Sequence, residues 1–168
     1  METVQQVLEI MDFFQNNPEP RYRATVMGGV PVGWRTRTGQ ASTDPAWGRY
    51  YCRLDVLSPF TPSTMVTDAD VDRYYRDTVP ADMRKVRRCG GDYMPSVHPG
   101  FSYHKPDPSR PFNEVPRRGG RLYWRQVHGA VASGATMMFN AMFDEVDEGT
   151  AMFKLSTGKP DTPRGCRW

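Results

Sequence analysis

The sequence predicts an α/β fold, and within that class a partial (β/α)8 barrel of the TIM type with about four β/α units. Apolar strand-like segments alternate with amphipathic helical segments, which favours a parallel sheet covered by helices. Polar and aromatic residues follow the end of each predicted strand, where such barrels carry their functional groups. A whole barrel needs roughly 250 residues. Because this chain has 168 residues, we expect residues 1–168 to be a fragment of a single barrel domain.

The first half of the chain should contain one helix and two strands. Apolar residues at helical spacing predict a helix that ends at the NNPEP segment 16–20; they are Val4, Val7, Leu8, Met11 and Phe14. A β-branched run over 23–32 predicts the first strand, and a long polar and aromatic loop over 34–51 follows it. Residues 55–60 form the second predicted strand, which Pro59 should end because proline has no amide hydrogen to donate.

The second half should contain two more helices and two more strands. Thr67 or Asp68 can cap a helix over 68–88 that we expect to bend at Pro80. Segment 92–101 supplies the third strand and its exit, and a proline-rich loop follows it. The remaining elements are a helix over 119–134, with Leu122, Tyr123, Val127, Ala130 and Val131 on one side, and a fourth strand over 135–143.

Composition and motifs argue against several classes of function. The net charge is only +3, and no basic run with interleaved aromatic residues is present, so nucleic acid is not an expected partner. The sequence has no apolar stretch near 18 residues, which predicts no membrane span, and its first 14 residues lack the features of a signal peptide. Neither GxGxxG nor GxxxxGK[ST] occurs at the expected places, so nucleotide binding has no motif to support it. The cellular compartment stays open.

The cysteines indicate neither a zinc knuckle nor a disulfide framework. Cys52, Cys89 and Cys166 are odd in number, far apart and without a CxxC pair. We therefore expect no structural metal and no cofactor.

The candidate catalytic residues lie in the segment AMFDEVDEGT, residues 141–150, which follows the fourth predicted strand. Its four carboxylates fall within five positions: Asp144, Glu145, Asp147 and Glu148. Carboxylates repel one another, and a neighbour can keep one of them protonated while another stays ionised. Such a pair is what glycosidic bond cleavage requires, so we expect Glu145 and Glu148 to be the catalytic pair. The alternatives are a solvated acidic loop, or carboxylates paired with Arg35, Arg117 or Arg118.

Several residues at other strand ends are candidates for substrate binding. Trp34, Phe101 and Tyr103 can stack on sugar rings, although each can equally belong to the core. Arg35 can donate to sugar hydroxyls or, the interpretation we favour, pin an acid. His98 and His104 complete the set with Asp144 and Asp147. The same histidines and aspartates could hold a metal, but the spacing gives no support for that.

Four segments resemble motifs of glycoside hydrolase family 99 (GH99) and the related family 71/99-like proteins. MFDEVDEGTA (142–151) resembles the FNEWHEGT-type strand end of family 99. PSVHPGFSYH (95–104), PRRGGRLYWRQ (116–126) and GGVPVGWR (28–35) resemble companion motifs of the 99-like group, often labelled xylosidase/arabinosidase. The match runs in order over essentially the whole chain and corresponds to the C-terminal part of that group's barrel.

This resemblance implies a retaining glycosidase acting on poly- or oligosaccharides, with Glu145 and Glu148 as the catalytic ExxE pair. In family 99 the first glutamate acts as base on the substrate's 2-hydroxyl, giving an anhydro-sugar, and the second acts as acid and base on the leaving oxygen. This chain has Asp144, Val146 and Asp147 where that family has Asn, Trp and His. The resemblance therefore carries the catalytic assignment but not the α-mannoside specificity.

Three functions follow as hypotheses: a glycosidase with a carbohydrate substrate, a non-catalytic carbohydrate-binding barrel, and a metal-dependent hydrolase. A partial barrel leaves strand edges unpaired, which is unfavourable in water. We expect a missing N-terminal half or a second copy of the chain to cover those edges, and we expect the isolated chain to be inactive.

Overall fold

The computed structural model describes residues 4–153. Its helices are α1 (Val4–Asn16), α2 (Trp47–Arg53), α3 (Asp68–Arg73), α4 (Val79–Cys89) and α5 (Arg121–Ala132). Its strands are β1 (Met27–Pro31), β2 (Val56–Phe60), β3 (Asp92–Tyr93), β4 (Ser96–Val97) and β5 (Phe139–Asn140). Short 3-10 turns lie at Pro20–Tyr22 and Arg118–Gly120. Over this range no helix is both long and apolar enough to cross a bilayer.

All strand pairs are parallel, which confirms the predicted α/β class. β1 pairs with β2 and β2 with β3, while β4 pairs with β5. β3 and β4 are separated only by Met94 and Pro95, so they form one extended segment whose partner changes along its length. The Met94 amide donates to the Leu57 carbonyl at 2.9 Å, and the Pro95 carbonyl accepts from Phe139 at 3.0 Å. The strands therefore lie side by side in chain order.

Side-chain hydrogen bonds hold the second part of that segment against the end of β2. The Ser96 hydroxyl donates to the Pro59 carbonyl at 2.5 Å and accepts from the Thr61 amide at 2.9 Å. The Thr61 hydroxyl donates to the Ser96 carbonyl at 3.0 Å. Both residues are fully buried, so these bonds satisfy polar groups where main-chain pairing has stopped.

The helices pack on the sheet through one continuous core. Leu57 of β2, Val79 of α4 and Leu122 of α5 are completely buried, and Met11 of α1 joins the same cluster. The predicted first helix, the second strand and the helix over 119–134 are confirmed. Val131 departs from its predicted core position, because its side chain at the end of α5 is 60% exposed.

The predicted helix over 68–88 is present but interrupted. A π-helical turn, Tyr74–Thr78, separates α3 from α4 and lies just before Pro80, where a bend was expected. Pro80 occupies the first turn of α4, a position that tolerates proline because its missing amide would have no helical partner there. Pro59, in contrast, does not end β2. It pairs in register with Val30, and the strand continues to Phe60.

Two further predictions are wrong in extent. The loop predicted over 34–51 contains most of α2, whose aromatic residues Trp47, Tyr50 and Tyr51 lie at helical spacing and pack on one another at centroid distances of 5.3–6.4 Å. The strand predicted over 135–143 is reduced to β5. Its partner β4 has two residues, and a strand cannot pair beyond its neighbour.

The expectation of no disulfide is wrong as well. Cys52 in the last turn of α2 is bonded to Cys89 at the end of α4, with their Cα atoms 5.0 Å apart. The two helices follow β1 and β2, and parallel packing brings their C-terminal ends together. Cysteine spacing could not show this, because the pairing depends on a helix that the sequence did not predict. Cys166 lies outside the described residues.

The start of α3 gives a direct test of the capping prediction. Thr67 is the N-cap: its hydroxyl accepts from the Asp70 amide, and the Asp70 carboxylate accepts from the Thr67 amide at 2.8 Å. We expect Thr67→Ala to lower the free energy of unfolding by about 1 kcal/mol, because it removes the hydroxyl that accepts from the Asp70 amide. Thr67→Ser keeps the hydroxyl and should remain close to the parent. Equal urea midpoints for the parent and Thr67→Ala would contradict the prediction.

Candidate functional site

The acidic loop, residues 141–150, lies at the carboxyl edge of the parallel strands. It follows β5, and the segment after β4 ends at the same edge because the two strands are parallel. The Ser102 amide donates to the Glu148 carbonyl at 2.8 Å, which joins the two exits directly. The predicted convergence of the β4 exit and the acidic loop is therefore present in the structure.

The acidic loop is a compact turn. The Thr150 amide donates to the Glu145 carbonyl at 3.1 Å, and the Gly149 amide donates to Val146 at 3.3 Å. Gly149 has a φ of +66°, in the left-handed region that favours glycine. The Glu145 carboxylate accepts from the Asp147 amide at 2.9 Å. These hydrogen bonds close the loop over the segment that carries Glu145 and Glu148.

The two glutamates influence each other electrostatically. Partial burial raises the pKa of Glu148 above that of an exposed glutamate, and the negative charge of Glu145 raises it further. Within residues 4–153 no lysine, arginine or histidine forms an ion pair with either side chain. A carboxyl group of raised pKa close to a second carboxyl group is the arrangement that paired acid and base chemistry uses.

The arginines that could have neutralised the acidic loop have other partners. Arg35 pairs with Asp82 at 2.6 Å, and Arg118 pairs with Asp68 at 3.0 Å. Arg117 donates to the Gly149 carbonyl at 2.8 Å and to the Ala151 carbonyl at 2.6 Å, not to a carboxylate. Among the four acidic residues of the loop, Asp147 is the one that forms an ion pair in the described range, with Lys105. Asp144 is exposed at the loop surface.

Trp34 and Arg35 follow β1, and both bind Asp82, with Trp34 buried and Arg35 partly exposed. The Trp34 side chain is 2% exposed, its indole N–H donates to Asp82 at 3.1 Å, and its ring lies edge-on to Tyr51. Arg35 binds the other oxygen of Asp82. Burial raises the pKa of Asp82, while the Arg35 and Trp34 hydrogen bonds lower it. Through residue 153 no hydrogen bond, ion pair or ring contact joins Trp34 or Arg35 to the acidic loop.

The aromatic pair after β4 lies beside the acidic loop. Phe101 is buried and forms an antiparallel bridge with Val115. The Tyr103 ring is stacked parallel to Phe101 at a centroid distance of 6.2 Å and is 37% exposed. Ser102, between them, is the residue that binds Glu148. Of the three aromatic candidates, Tyr103 is therefore the one with an exposed ring in the segment that contacts the acidic loop.

The two histidines of the β4 exit lie in different environments. His98 is 0% exposed, neither ring nitrogen has a hydrogen-bond partner, and burial lowers its pKa to about 4. His104 is half-buried and its Nδ1 lies 2.7 Å from the Arg110 carbonyl. Between residues 4 and 153 no three His, Cys, Asp or Glu side chains come together in a way that could hold a metal ion.

Four residues that support the site were not identified from the sequence. They are Asp82, Ser102, Gln126 and, in its observed role, Arg117. Gln126 is buried in α5 and binds both the amide and the carbonyl of His98, at 3.2 and 2.8 Å. The available signal for Gln126 was a polar residue on the apolar face of a predicted helix, next to Leu122. Nothing in the sequence indicated the others.

A cleft of about 450 Å³ lies elsewhere, between α3 and α5. Its lining includes Asp72, Trp124, Arg125 and Gly129, but neither glutamate of the acidic loop. Arg125 and Asp72 form an ion pair of 2.6 Å across it. The candidate site is therefore defined by the strand exits and not by this cleft.

Comparison with known proteins rests on structure. No known family profile matches the sequence, and no curated protein matches it. A structure of the GH99 endo-α-mannosidase from Bacteroides thetaiotaomicron matches with a TM-score of 0.57 and 18% identity, over 82% of this chain and 36% of that chain. A second structure of that enzyme, in complex with Bis-Tris propane, matches with a TM-score of 0.53 and 17% identity, over 89% of this chain and 55% of that chain.

The chain has a GH99-like fold. The resemblance predicted from its motifs is confirmed at the level of the fold. The chain spans between about a third and just over a half of the length of the two GH99 chains, 36% and 55%. The GH99-like part described here is therefore a portion of the larger unit seen in those structures, and it contains the acidic loop.

Proposed function

We propose that this GH99-like chain belongs to a glycoside hydrolase that cleaves O-glycosidic bonds of poly- or oligosaccharides with Glu145 and Glu148. The observation that carries the proposal is the acidic loop itself. Its two glutamates lie at the carboxyl edge of parallel strands and have no cationic partner in the described residues. Burial and the negative charge of Glu145 raise the pKa of Glu148. Acidic residues in a merely solvated loop would be free to separate, whereas this loop is closed by main-chain hydrogen bonds.

The roles follow from the two environments. Glu148 has the raised pKa and is the better proton donor to a leaving oxygen. Glu145 accepts a hydrogen bond from the Asp147 amide, which holds its carboxylate in place for the role of base. This assignment agrees with the order implied by the family resemblance, in which the first glutamate is the base and the second the acid.

The substrate is a carbohydrate, with Tyr103 as the aromatic surface for one sugar ring. Its exposed face lies next to Ser102, which binds Glu148, and a flat aromatic face matches the apolar face of a pyranose. Asp144, Val146 and Asp147 occupy the positions around the two glutamates. Two of them add negative charge near the site, so we propose a specificity that differs from the endo-α-mannosidase activity of the GH99 neighbours.

Further strands should complete the site. In the described residues β1 pairs on one side with β2, and β5 pairs on one side with β4, so each has an open edge. We propose that the N-terminal half of a (β/α)8 barrel, or a second copy of this chain, covers both edges. Phe143, Val146 and Phe153 are exposed apolar residues around β5 that such a partner would bury.

The proposal is tested with the full-length protein and a panel of aryl glycosides that includes α-mannosides, xylosides and arabinosides. The double variant Glu145→Gln/Glu148→Gln should lose turnover of every substrate that the parent cleaves. Glu9→Gln, the same chemical change at an exposed position on α1, is the matched control and should keep activity. Saccharide binding without turnover in the parent would instead indicate the non-catalytic carbohydrate-binding alternative.

The isolated 168-residue chain should have little or no activity. Half of the substrate cleft would be missing, and the productive geometry of acid, base and sugar would not be held. The measurement compares turnover of the isolated chain with that of the full-length protein at equal molar concentration. Comparable rates, with the isolated chain monomeric by light scattering, would show that no further strands are needed.

A further inference from the structure

We propose that Arg117 is the positioning residue of the acidic loop, which it holds through the Gly149 and Ala151 carbonyls without pairing with either glutamate. The inference rests on the proposed function in one respect, namely that Glu145 and Glu148 are the reacting groups. The two hydrogen bonds, of 2.8 and 2.6 Å, come from one Nη2 atom of a half-buried guanidinium. They fix the backbone immediately after Glu148.

Arg117 and Ser102 bind successive carbonyls of the acidic loop. The Ser102 amide binds the Glu148 carbonyl at 2.8 Å, and Arg117 binds the next carbonyl along the chain. A Cβ at Gly149 would lie 3.3 Å from both the amide nitrogen and the Cβ of Ser102, so the loop and the β4 exit are in close contact there. Because the Glu148 and Gly149 carbonyls are both hydrogen-bonded, rotation of the main chain around Glu148 is restricted.

The HPGF segment, residues 98–101, explains why Arg117 lies beside the acidic loop. Phe101 and Val115 exchange two main-chain hydrogen bonds, of 3.0 and 2.9 Å, which sets the chain two residues later beside Gly100. A Cβ at Gly100 would lie 2.8 Å from the Cγ of Arg117 and 2.8 Å from the Val115 carbonyl. Glycine at this position therefore leaves room for the arginine stem.

The choice of carbonyl partners has a chemical consequence. A guanidinium placed on a carboxylate would favour its ionised form, and Glu148 could not then retain a proton. Arg117 has no carboxylate partner in the described range, and burial lowers its pKa below the ordinary arginine value. The charged group that acts on Glu148 is Glu145, and the Asp147–Lys105 ion pair belongs to the same loop. Arg117 therefore holds the loop while leaving the acid pair without a counter-ion.

The test uses NMR of the full-length protein and does not depend on turnover. Carboxyl carbon titration follows Glu148, and amide hydrogen exchange follows Ser102 and Thr150. In Arg117→Met, exchange at both amides should become about ten- to a hundredfold faster, because hydrogen bonds from a charged donor are lost. The pKa of Glu148 should fall toward that of an exposed glutamate as the loop opens to water. Arg118→Met, which removes the neighbouring arginine from Asp68, should change neither readout.

Arg117→Lys covers the case in which Arg117→Met does not fold. A lysine ammonium can reach one carbonyl but cannot copy the guanidinium geometry, so both readouts should lie between those of the parent and Arg117→Met. Unchanged Glu148 titration and unchanged Ser102 exchange in Arg117→Lys and in any folded Arg117→Met would overturn the proposal. Failure of the Glu145 and Glu148 variants to affect turnover would overturn the proposed function while leaving this positioning role standing.

Discussion

Glu148→Gln in the full-length protein is expected to lower kcat for a glycoside with a poor leaving group by about a hundred- to ten-thousandfold. General acid catalysis contributes about that much, and glutamine cannot deliver a proton to the departing oxygen. Glu148 is assigned this role because burial and the neighbouring charge of Glu145 raise its pKa. The variant keeps the shape of the side chain, so KM should change much less than kcat.

The leaving group and the pH profile distinguish loss of an acid from general damage to the site. A nitrophenyl glycoside departs as a stable anion and needs little protonation, so Glu148→Gln should lose much less activity on it. In the parent, kcat/KM should fall as pH rises through the raised pKa of Glu148, because the acid is then ionised. That alkaline fall should be absent in Glu148→Gln. An equal loss on both substrates with an unchanged profile would remove Glu148 from the acid role.

Asp147→Asn is the matched control for that series. Asp147 belongs to the same loop, is exposed and has Lys105 as its ion-pair partner. Its substitution removes one nearby negative charge without removing a proton donor, so kcat should change by less than about tenfold, and loss of its proposed substrate contact should appear in KM. A loss as large as that of Glu148→Gln would indicate that the charge of the whole loop, and not one acid, governs turnover.

Much of the fold could be predicted from sequence patterns that lie within single elements. The apolar spacing of α1, the Thr67 cap and the β2 run each depend on residues within one element. The acidic loop was predictable for the same reason, since its four carboxylates follow an apolar run directly. Strand ends of parallel sheets converge at one edge, so placing the loop beside the β4 exit required only the order of the elements.

The rest depends on contacts that are distant in sequence. Trp34 was a candidate sugar contact because it follows a strand, yet its indole binds Asp82, 48 positions away. The length of β5 is set by β4, which ends at Val97. Helix α2 is short, and its segment has the composition of a loop. The helix forms because three aromatic side chains at helical spacing pack on one another. In each case tertiary packing overrides a local preference.

His98 gives a large predicted effect on stability. Its ring is fully buried with neither nitrogen bonded, and burial lowers its pKa from 6.5 to about 4. Because the folded-state pKa lies below the unfolded one, the unfolded chain binds more protons between these values. Stability is therefore fully present above pH 6.5 and is lost as pH falls toward about 4. A shift of this size corresponds to a loss on the order of 3 kcal/mol.

His98→Leu should remove this part of the acid sensitivity, because leucine has a similar volume and no site for a proton. Urea unfolding above pH 7 and near pH 4 gives the two free energies for the parent and the variant. Other groups titrate in the same interval, but they are common to both proteins, so the difference between the two losses isolates His98. His128→Leu, at an exposed position on α5, should lose as much stability as the parent does. If His98→Leu also matched the parent, the His98 imidazole would have to be solvated or hydrogen-bonded in the folded protein, and the orphaned ring would not be the source of its acid sensitivity.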